Sequence, residues 1–265
     1  MIREVQQGDS ITDIVQEMLR SDAKLIVAGG GDGTLNAVAS VLTGTNVVMG
    51  VLAAGTLNHF ARDLGMPFDL AEAAGVMLNG RVERVDVGEV NGRKFLNNAI
   101  IGLYPFYRSQ RERLEKQGRD TWRAMLSAVY SVVRLNPAVR VRYMADGQQV
   151  TRKTPVLMVG NNFHEMEGYR LGSRATLSSG TLWLYAMHRM SRVGLFALTM
   201  RLMLGRFSKQ RDFDVVSASE ITVESRRRKL GVSLDGEVVK LRTPLVYRSL
   251  PGALRVIVPP EYSAN

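Results

Sequence analysis

The segment between Ala23 and Asn36 joins an apolar run to four glycines, and it constrains the fold more than any other part of the chain. Residues 24–28 predict a buried strand, and the glycines after them predict a tight turn into a helix over 34–42. Such a turn leaves backbone N–H groups uncovered at the positive end of a helix dipole, which favours phosphate binding. Because Asp32 adds a carboxylate to this turn, the pattern indicates nucleotide chemistry in which a cation or a donor group mediates.

A second turn of small residues follows the next predicted strand, 47–52. It places Gly55 and Thr56 between this strand and a predicted helix over 56–64, much as Thr34 stands at the helix start in the first turn. The carboxyl ends of neighbouring parallel strands meet at one edge of a sheet, so both turns are expected to face one ligand. A single glycine turn is more often only a connection, whereas two turns with hydroxyls favour a phosphate site.

The chain changes character near residue 85. Before that point strands alternate with helices, which predicts an α/β fold with a parallel sheet. After it, the hairpin signal Asn91-Gly92 and a series of short strands predict a mostly antiparallel β structure. Two basic helices, 121–135 and 192–207, are expected to be inserted in it.

Two domains follow from this change. We expect a nucleotide-binding α/β domain of residues 1–85, rejoined by 250–265, and a β-rich domain of residues 86–249 that holds the substrate. Ligands favour the cleft between two such parts.

Positive charge is the compositional outlier. The 35 Lys and Arg residues against 25 Asp and Glu residues give a net charge of +10, which favours nucleotides, nucleic acid or anionic lipid surfaces as partners. The run 226–229 concentrates four basic residues and is more typical of a solvated face. Nucleic acid is not expected, because no aromatic platform or reading helix is evident. The absence of Cys and of a signal-peptide pattern in residues 1–20 predicts a cytoplasmic protein.

Three motifs resemble one enzyme family, the soluble diacylglycerol-kinase-type lipid kinases, to which sphingosine and ceramide kinases are related. They are Gly30-Gly31-Asp32-Gly33-Thr34, the string Gly55-Thr56-Leu57-Asn58-His59-Phe60-Ala61-Arg62, and Leu234-Asp235-Gly236-Glu237. The first motif is shared with NAD kinases and phosphofructokinases, and the second is the more specific. The resemblance covers residues 24 to 259.

The resemblance implies an ATP-dependent lipid kinase that uses Mg²⁺ and phosphorylates a hydroxyl of a diacylglycerol-like lipid. It implies that Asp235 and Glu237 supply the general base and that Asp86 lies near the catalytic magnesium. The residues that it assigns to ATP are Gly29, Gly30, Gly31, Asp32, Gly33, Thr34, Asn36, Gly55, Thr56 and Asn58. The lipid is expected at an anionic membrane surface, where the protein would associate peripherally, and a homodimer is left open.

Two other functions stay open. One is an enzyme similar to NAD kinase, against which the string Asn58-His59-Phe60-Ala61-Arg62 argues. The other is a regulator that binds nucleotide or lipid without turnover. Without the resemblance, the Asp235-Gly236 pair is more simply a hairpin turn.

Three departures from the family bear on these expectations. Most relatives begin with an extra strand that bears an Asn-Pro-x-Ser-Gly turn, and only about 23 residues precede the first predicted strand here. His59 stands where many relatives have Asp, so a magnesium contact is expected to be lost. The structural magnesium motif Asp-Gly-x-Leu-Asp is replaced by the run from Ser179 to Trp183, and we predict no magnesium there.

Overall fold

The computed structural model describes residues 2–6, 8–102, 105, 139–145, 148–167, 170–174, 176–188 and 213–263. The helices in this part are α1 (Ile11–Arg20), α2 (Asp32–Leu42), α3 (His59–Asp63) and α4 (Leu70–Asn79). The first strands are β1 (Leu25–Gly30), β2 (Val48–Ala53), β3 (Arg81–Val90), β4 (Arg93–Phe95), β5 (Asn98–Gly102), β6 (Val139–Ala145), β7 (Gln148–Thr154) and β8 (Val156–Asn161). The remaining strands are β9 (His164–Glu167), β10 (Arg170–Arg174), β11 (Leu182–Met187), β12 (Phe213–Ala218), β13 (Glu220–Ser225), β14 (Lys229–Leu234), β15 (Glu237–Arg242) and β16 (Leu245–Val258). The predicted helices 121–135 and 192–207 lie outside the described residues.

Local signals account for the starts of α1 and α4. The Ser10 side chain accepts a hydrogen bond from the Asp13 N–H, and the Asp69 carboxylate accepts from Ala71 and Glu72. Both side chains satisfy N–H groups that a helix start would otherwise leave unpaired. In the described part of the chain, none of the helices is long and apolar enough to traverse a bilayer.

The front sheet is mixed rather than purely parallel. β1 pairs with β2 in parallel, and β2 pairs in parallel with the end of β16. β16 then runs antiparallel to β3 on one side and to β13 on the other, and β6 and β7 continue the sheet beyond β13. The predicted parallel arrangement is therefore confirmed for the strands that carry the two turns, within a larger mixed sheet.

A second sheet is antiparallel throughout, in the order β12-β11-β8-β5-β14-β15. This confirms the β-rich architecture predicted for the back of the chain. The hairpin at Asn91-Gly92 is also confirmed, with both residues at positive φ. The last of the short strands predicted after residue 85 is not short, because β16 runs without a break from Leu245 to Val258, with an irregular register between Leu250 and Leu254.

Two large apolar cores fill the molecule. One lies between the front sheet and the helices that pack on it, and it includes Leu35, Leu42 and Phe60. The other lies between the two sheets and includes Tyr143 and Tyr247. The predicted domain limits at 85 and 250 fall inside β3 and β16, two continuous strands that are common to both parts.

Candidate active site

The two glycine turns lie side by side at one edge of the front sheet. β1 ends at Gly30 and β2 ends at Ala53, and these two residues are register partners. The turns then touch, since a Cβ on Gly55 would stand 2.4 Å from the Gly31 Cα. Only a residue without a side chain permits this backbone contact, so the glycines bring the two turns together.

The first glycine turn is shorter than the sequence suggested. α2 begins at Asp32 and not at Thr34, with Gly31 as its N-cap. The Thr34 side chain lies over Gly30, where a Cβ would approach it to 2.7 Å, whereas no atom lies within 4 Å of a Cβ on Gly33. Gly33 is exposed, so the start of α2 presents an uncovered backbone to solvent.

Asp32 joins the two turns through its carboxylate. Its oxygens accept hydrogen bonds from the His59 N–H at 3.2 Å and the Phe60 N–H at 3.1 Å. These N–H groups open α3, which begins at His59, three residues later than predicted. The carboxylate therefore caps a helix, and the Asp32 side chain fixes the distance between the turns.

Asn58 closes the second turn on itself. It is buried and left-handed, with φ at 50°, a conformation that Asn tolerates better than most residues. Its side-chain oxygen accepts from the Gly55 N–H at 2.9 Å, and its side-chain nitrogen donates to the Gly55 carbonyl at 2.8 Å. Thr56 and Leu57, between them, are exposed at the tip of this turn.

The hairpin between β14 and β15 presents two acidic residues. Asp235 has a positive φ, and its carboxylate accepts hydrogen bonds from three consecutive N–H groups, those of Leu96, Asn97 and Asn98, at 2.6–2.9 Å. Burial raises the pKa of Asp235, although these N–H donors and Arg174 oppose the rise. Glu237 at the start of β15 is exposed.

A crevice separates the start of α2 from this hairpin tip. Two adjoining hollows of about 680 and 370 Å³ are both lined by Thr12, Gly33, Ala37 and Glu237. Asp235 lines the larger hollow and Asn36 the smaller. The Asn36 side-chain oxygen is buried without a hydrogen-bond partner in the described part of the chain. The structure thus brings the first turn, Asn36 and the hairpin tip to one crevice.

Asp86 lies inside the protein rather than at an open site. It is 3% exposed, and its two carboxylate oxygens accept from the N–H groups of Gly180 and Gly252. Nearby, the Ser179 N–H donates to the side-chain oxygen of Asn162 at 2.9 Å. Among the described residues there is no group of three His, Cys, Asp or Glu arranged to hold a metal.

A buried ion pair that sequence reasoning missed lies behind the crevice. Arg174 bonds the Asp63 carboxylate through its Nε at 2.8 Å, and its other nitrogens donate to the Leu96 carbonyl and the Asn97 side chain at 2.6 and 2.8 Å. The Arg174 side chain is fully buried. Asp63, Arg174, Leu96 and Asp235 therefore form one chain of contacts from α3 to the hairpin tip. A lone Arg at the end of a short strand, here the last residue of β10, carries no signal in a single sequence.

Comparisons with known proteins agree with this geometry. The family model described as "Diacylglycerol kinase catalytic domain" matches residues 1–90, and that described as "YegS C-terminal NAD kinase beta sandwich-like domain" matches residues 111–258. The chain is 28% identical to a probable lipid kinase YegS-like of Klebsiella pneumoniae (strain 342), over 97% of this chain and 84% of the relative. It is 30% identical to one of Pseudomonas aeruginosa, over 96% of this chain and 82% of the relative.

Solved structures give the same grouping. A crystal structure of a diacylglycerol kinase from Bacillus anthracis str. Sterne matches with a TM-score of 0.66 and 25% identity, over 98% of this chain and 84% of that one. Yeast NADH kinase shares the fold alone, with a TM-score of 0.51 and 13% identity over 92% and 63% of the two chains. The chain belongs to the YegS-like, diacylglycerol kinase-type family of lipid kinases, and it is a kinase.

Proposed function

We propose that this lipid kinase transfers the γ-phosphoryl group of ATP to a hydroxyl of a diacylglycerol-like lipid within the crevice. The observation that carries the proposal is that the uncovered start of α2 at Gly33 and the exposed carboxylate of Glu237 line the same hollow. Phosphoryl transfer needs phosphates held in place and an acceptor hydroxyl poised beside them, and little covalent help from the protein. The crevice offers a surface for each.

The triphosphate would bind to the two glycine turns. Backbone N–H groups in the first turn of α2 lie at the positive end of the helix dipole, which stabilises anions. The unpartnered oxygen of Asn36 would accept a hydrogen bond from the nucleotide. The full set of ATP-binding residues that we propose is Gly29, Gly30, Gly31, Asp32, Gly33, Thr34, Asn36, Gly55, Thr56 and Asn58. Within it, Asp32 and Asn58 act by shaping the turns.

The two acidic residues of the hairpin tip would share the base function. In the reaction the lipid oxygen bonds to the γ-phosphorus, the bond from that phosphorus to the β,γ-bridging oxygen breaks, and ADP leaves. The hydroxyl proton passes to a carboxylate, and the exposed Glu237 is better placed to take it. Asp235, whose oxygens already accept three N–H bonds, would hold the tip against Leu96–Asn98.

Magnesium would arrive with the nucleotide. Mg²⁺ is commonly held by one or two carboxylates together with substrate phosphates and water, and it neutralises charge on the phosphates. The ion would be held chiefly by the phosphates and by water, because Glu237 is needed as the base and Asp86 does not fit as a direct ligand, since both its oxygens accept backbone N–H groups. We therefore propose an indirect role for Asp86 near the metal.

We also propose the division into a nucleotide-binding part, 1–85 with 250–265, and a lipid-binding part, 86–249. The crevice lies between elements of these two parts, since Gly33 belongs to the first and Glu237 to the second. The lipid would be met at an anionic membrane surface, with the protein bound peripherally.

The decisive experiment measures phosphate transfer from labelled ATP to detergent-dispersed diacylglycerol. Glu237→Gln should lower kcat about 10²- to 10⁴-fold, the usual contribution of a general base, with ATP binding retained. The control, Glu72→Gln, removes an exposed carboxylate from α4 and should leave kcat unchanged. A fully active Glu237→Gln protein would contradict the assignment of the base. ATP binding without lipid phosphorylation would favour the regulator, and phosphorylation of NAD alone would favour the NAD kinase-like enzyme.

A further inference from the structure

Basic side chains from three separate segments converge on one face of the protein, which we call the basic face. Its members are Arg140 and Arg142 on β6, Lys153 on β7, and Arg226, Arg227 and Arg228 in the turn after β13. All six are exposed. The strand register explains the convergence, because Arg140 is the partner of Lys153 and Arg142 is the partner of Glu224 near the end of β13.

This charge is poorly neutralised. Among the described residues, two acidic side chains lie near these six. Glu224 pairs with Arg142 at 3.1 Å while both side chains remain half exposed, and Asp214, which lines a hollow together with Lys153, is already bonded to Arg152. In the described part of the chain, Arg140, Lys153 and Arg226 form no ion pair. Like charges held together repel each other, and a partner of opposite charge removes that repulsion.

The side chains that line a hollow in the basic face indicate which kind of anionic partner it suits. A hollow of about 380 Å³ is lined by Arg140, Val141, Arg142, Thr151, Glu224, Ser225 and Arg226. Its lining contains guanidinium and hydroxyl groups, which suit phosphate, and no aromatic side chain. Single-stranded nucleic acid is usually held by stacking of its bases on aromatic rings, so the lining favours phosphate headgroups.

We propose that the basic face docks on the headgroups of an anionic phospholipid bilayer, an inference that rests on the proposed lipid kinase function. The basic face is separate from the crevice. At one end of the hairpin β14–β15, Lys229 and Arg242 lie next to the turn that contains Arg226, and Asp235 and Glu237 lie at the other end. Strands of six residues place these two ends roughly 17–20 Å apart. Docking and chemistry can therefore be tested apart.

The test measures binding to vesicles of phosphatidylcholine alone and to vesicles in which one third of the lipid is phosphatidylserine. The native protein should bind the second kind selectively, and salt should weaken the binding because screening shortens the reach of the charges. Each basic side chain near an anionic surface is worth about five-fold in partitioning, so Arg226→Gln/Arg227→Gln/Arg228→Gln should lose on the order of a hundred-fold. Transfer of phosphate to detergent-dispersed diacylglycerol should be unchanged.

The matched control, Arg3→Gln/Arg20→Gln/Lys24→Gln, removes the same number of exposed positive charges elsewhere. Equal losses in both triple variants would overturn the proposal, as would equal binding of the native protein to both kinds of vesicle. A second assay uses single-stranded DNA as a competitor. If the basic-face variant loses DNA binding and keeps vesicle binding, the partner is a nucleic acid and the proposal fails. If the native protein phosphorylates no lipid in detergent, the proposed function fails independently of these binding results.

Discussion

The two regions that flank the crevice, which we call its two walls, are of opposite construction. The glycine turns, Gly29–Asn36 and Ala53–Phe60, are held by backbone contacts and by two polar side chains, and they leave N–H groups open. The junction behind the hairpin tip, formed by Asp63, Leu96–Asn98, Arg174 and Asp235, is buried and uses charged side chains. One wall leaves backbone N–H groups open, and the other is held in place by buried polar contacts.

The contacts of these regions suggest how the glycine turns and the hairpin tip are held at a fixed distance from each other. Asp32 caps α3 at one end, and Asp63 at the other end of α3 bonds Arg174. Arg174 in turn holds the segment to which Asp235 is bonded. A change in the junction should therefore act mainly on stability, whereas a change in the turns should act mainly on nucleotide binding. Three substitutions test this contrast.

The largest effect is expected for Arg174→Met. The substitution leaves the Asp63 carboxylate buried without its cation, and breaking a buried pair on one side costs about 3–5 kcal/mol. Urea denaturation followed by circular dichroism measures the loss. In the control, Arg248→Met, the ion pair with Glu220 is half exposed, and a much smaller loss of stability is expected because water screens an exposed pair. Similar losses of stability in the two variants would show that the buried junction stabilises the protein no more than an exposed ion pair does.

A smaller loss of stability, with a larger loss of activity, is expected for Gly55→Ala. The new methyl group would stand 2.4 Å from the Gly31 Cα and 2.8 Å from the Asn58 side-chain oxygen, so the turns must separate. Overpacking of this kind costs about 1–3 kcal/mol, and a misplacement near 1 Å in a site lowers turnover about a hundred-fold. Calorimetric titration with ATP and the kinase assay measure these effects.

Gly75→Ala is the matched control for this substitution. Gly75 lies inside α4 with no atom within 4 Å of a new Cβ. Alanine there should stabilise the helix by about 0.5–1 kcal/mol without changing ATP affinity. Unchanged ATP affinity in Gly55→Ala as well would show that the contact between the turns has no part in nucleotide binding.

The contrast between the two walls also explains what the sequence could predict. The turns were predictable because strand, glycine and helix signals are local, and the sheet edge then brings them together. The predicted start of α3 was wrong because Asp32, far away along the chain, caps α3 at His59. The role of Arg174 was not predictable, since its partners lie on segments 13 to 111 residues distant. Asp235 was identified from its motif, but its three N–H contacts depend on the packing of β5 beside β14.

The smallest expected effect is a change in how the free energy of unfolding depends on pH in Asp235→Asn. Because burial raises the pKa of Asp235 in the folded protein above the value of about 4 in an unfolded chain, the unfolded chain ionises first as pH rises. The free energy of unfolding should therefore fall from about pH 4 until the folded pKa is passed, and then stay level. Asparagine removes this fall, and it costs about 1 kcal/mol because its amide donors face the Leu96 N–H. A pH profile of Asp235→Asn that matches the profile of the native protein would show that this carboxyl does not hold the hairpin against the sheet.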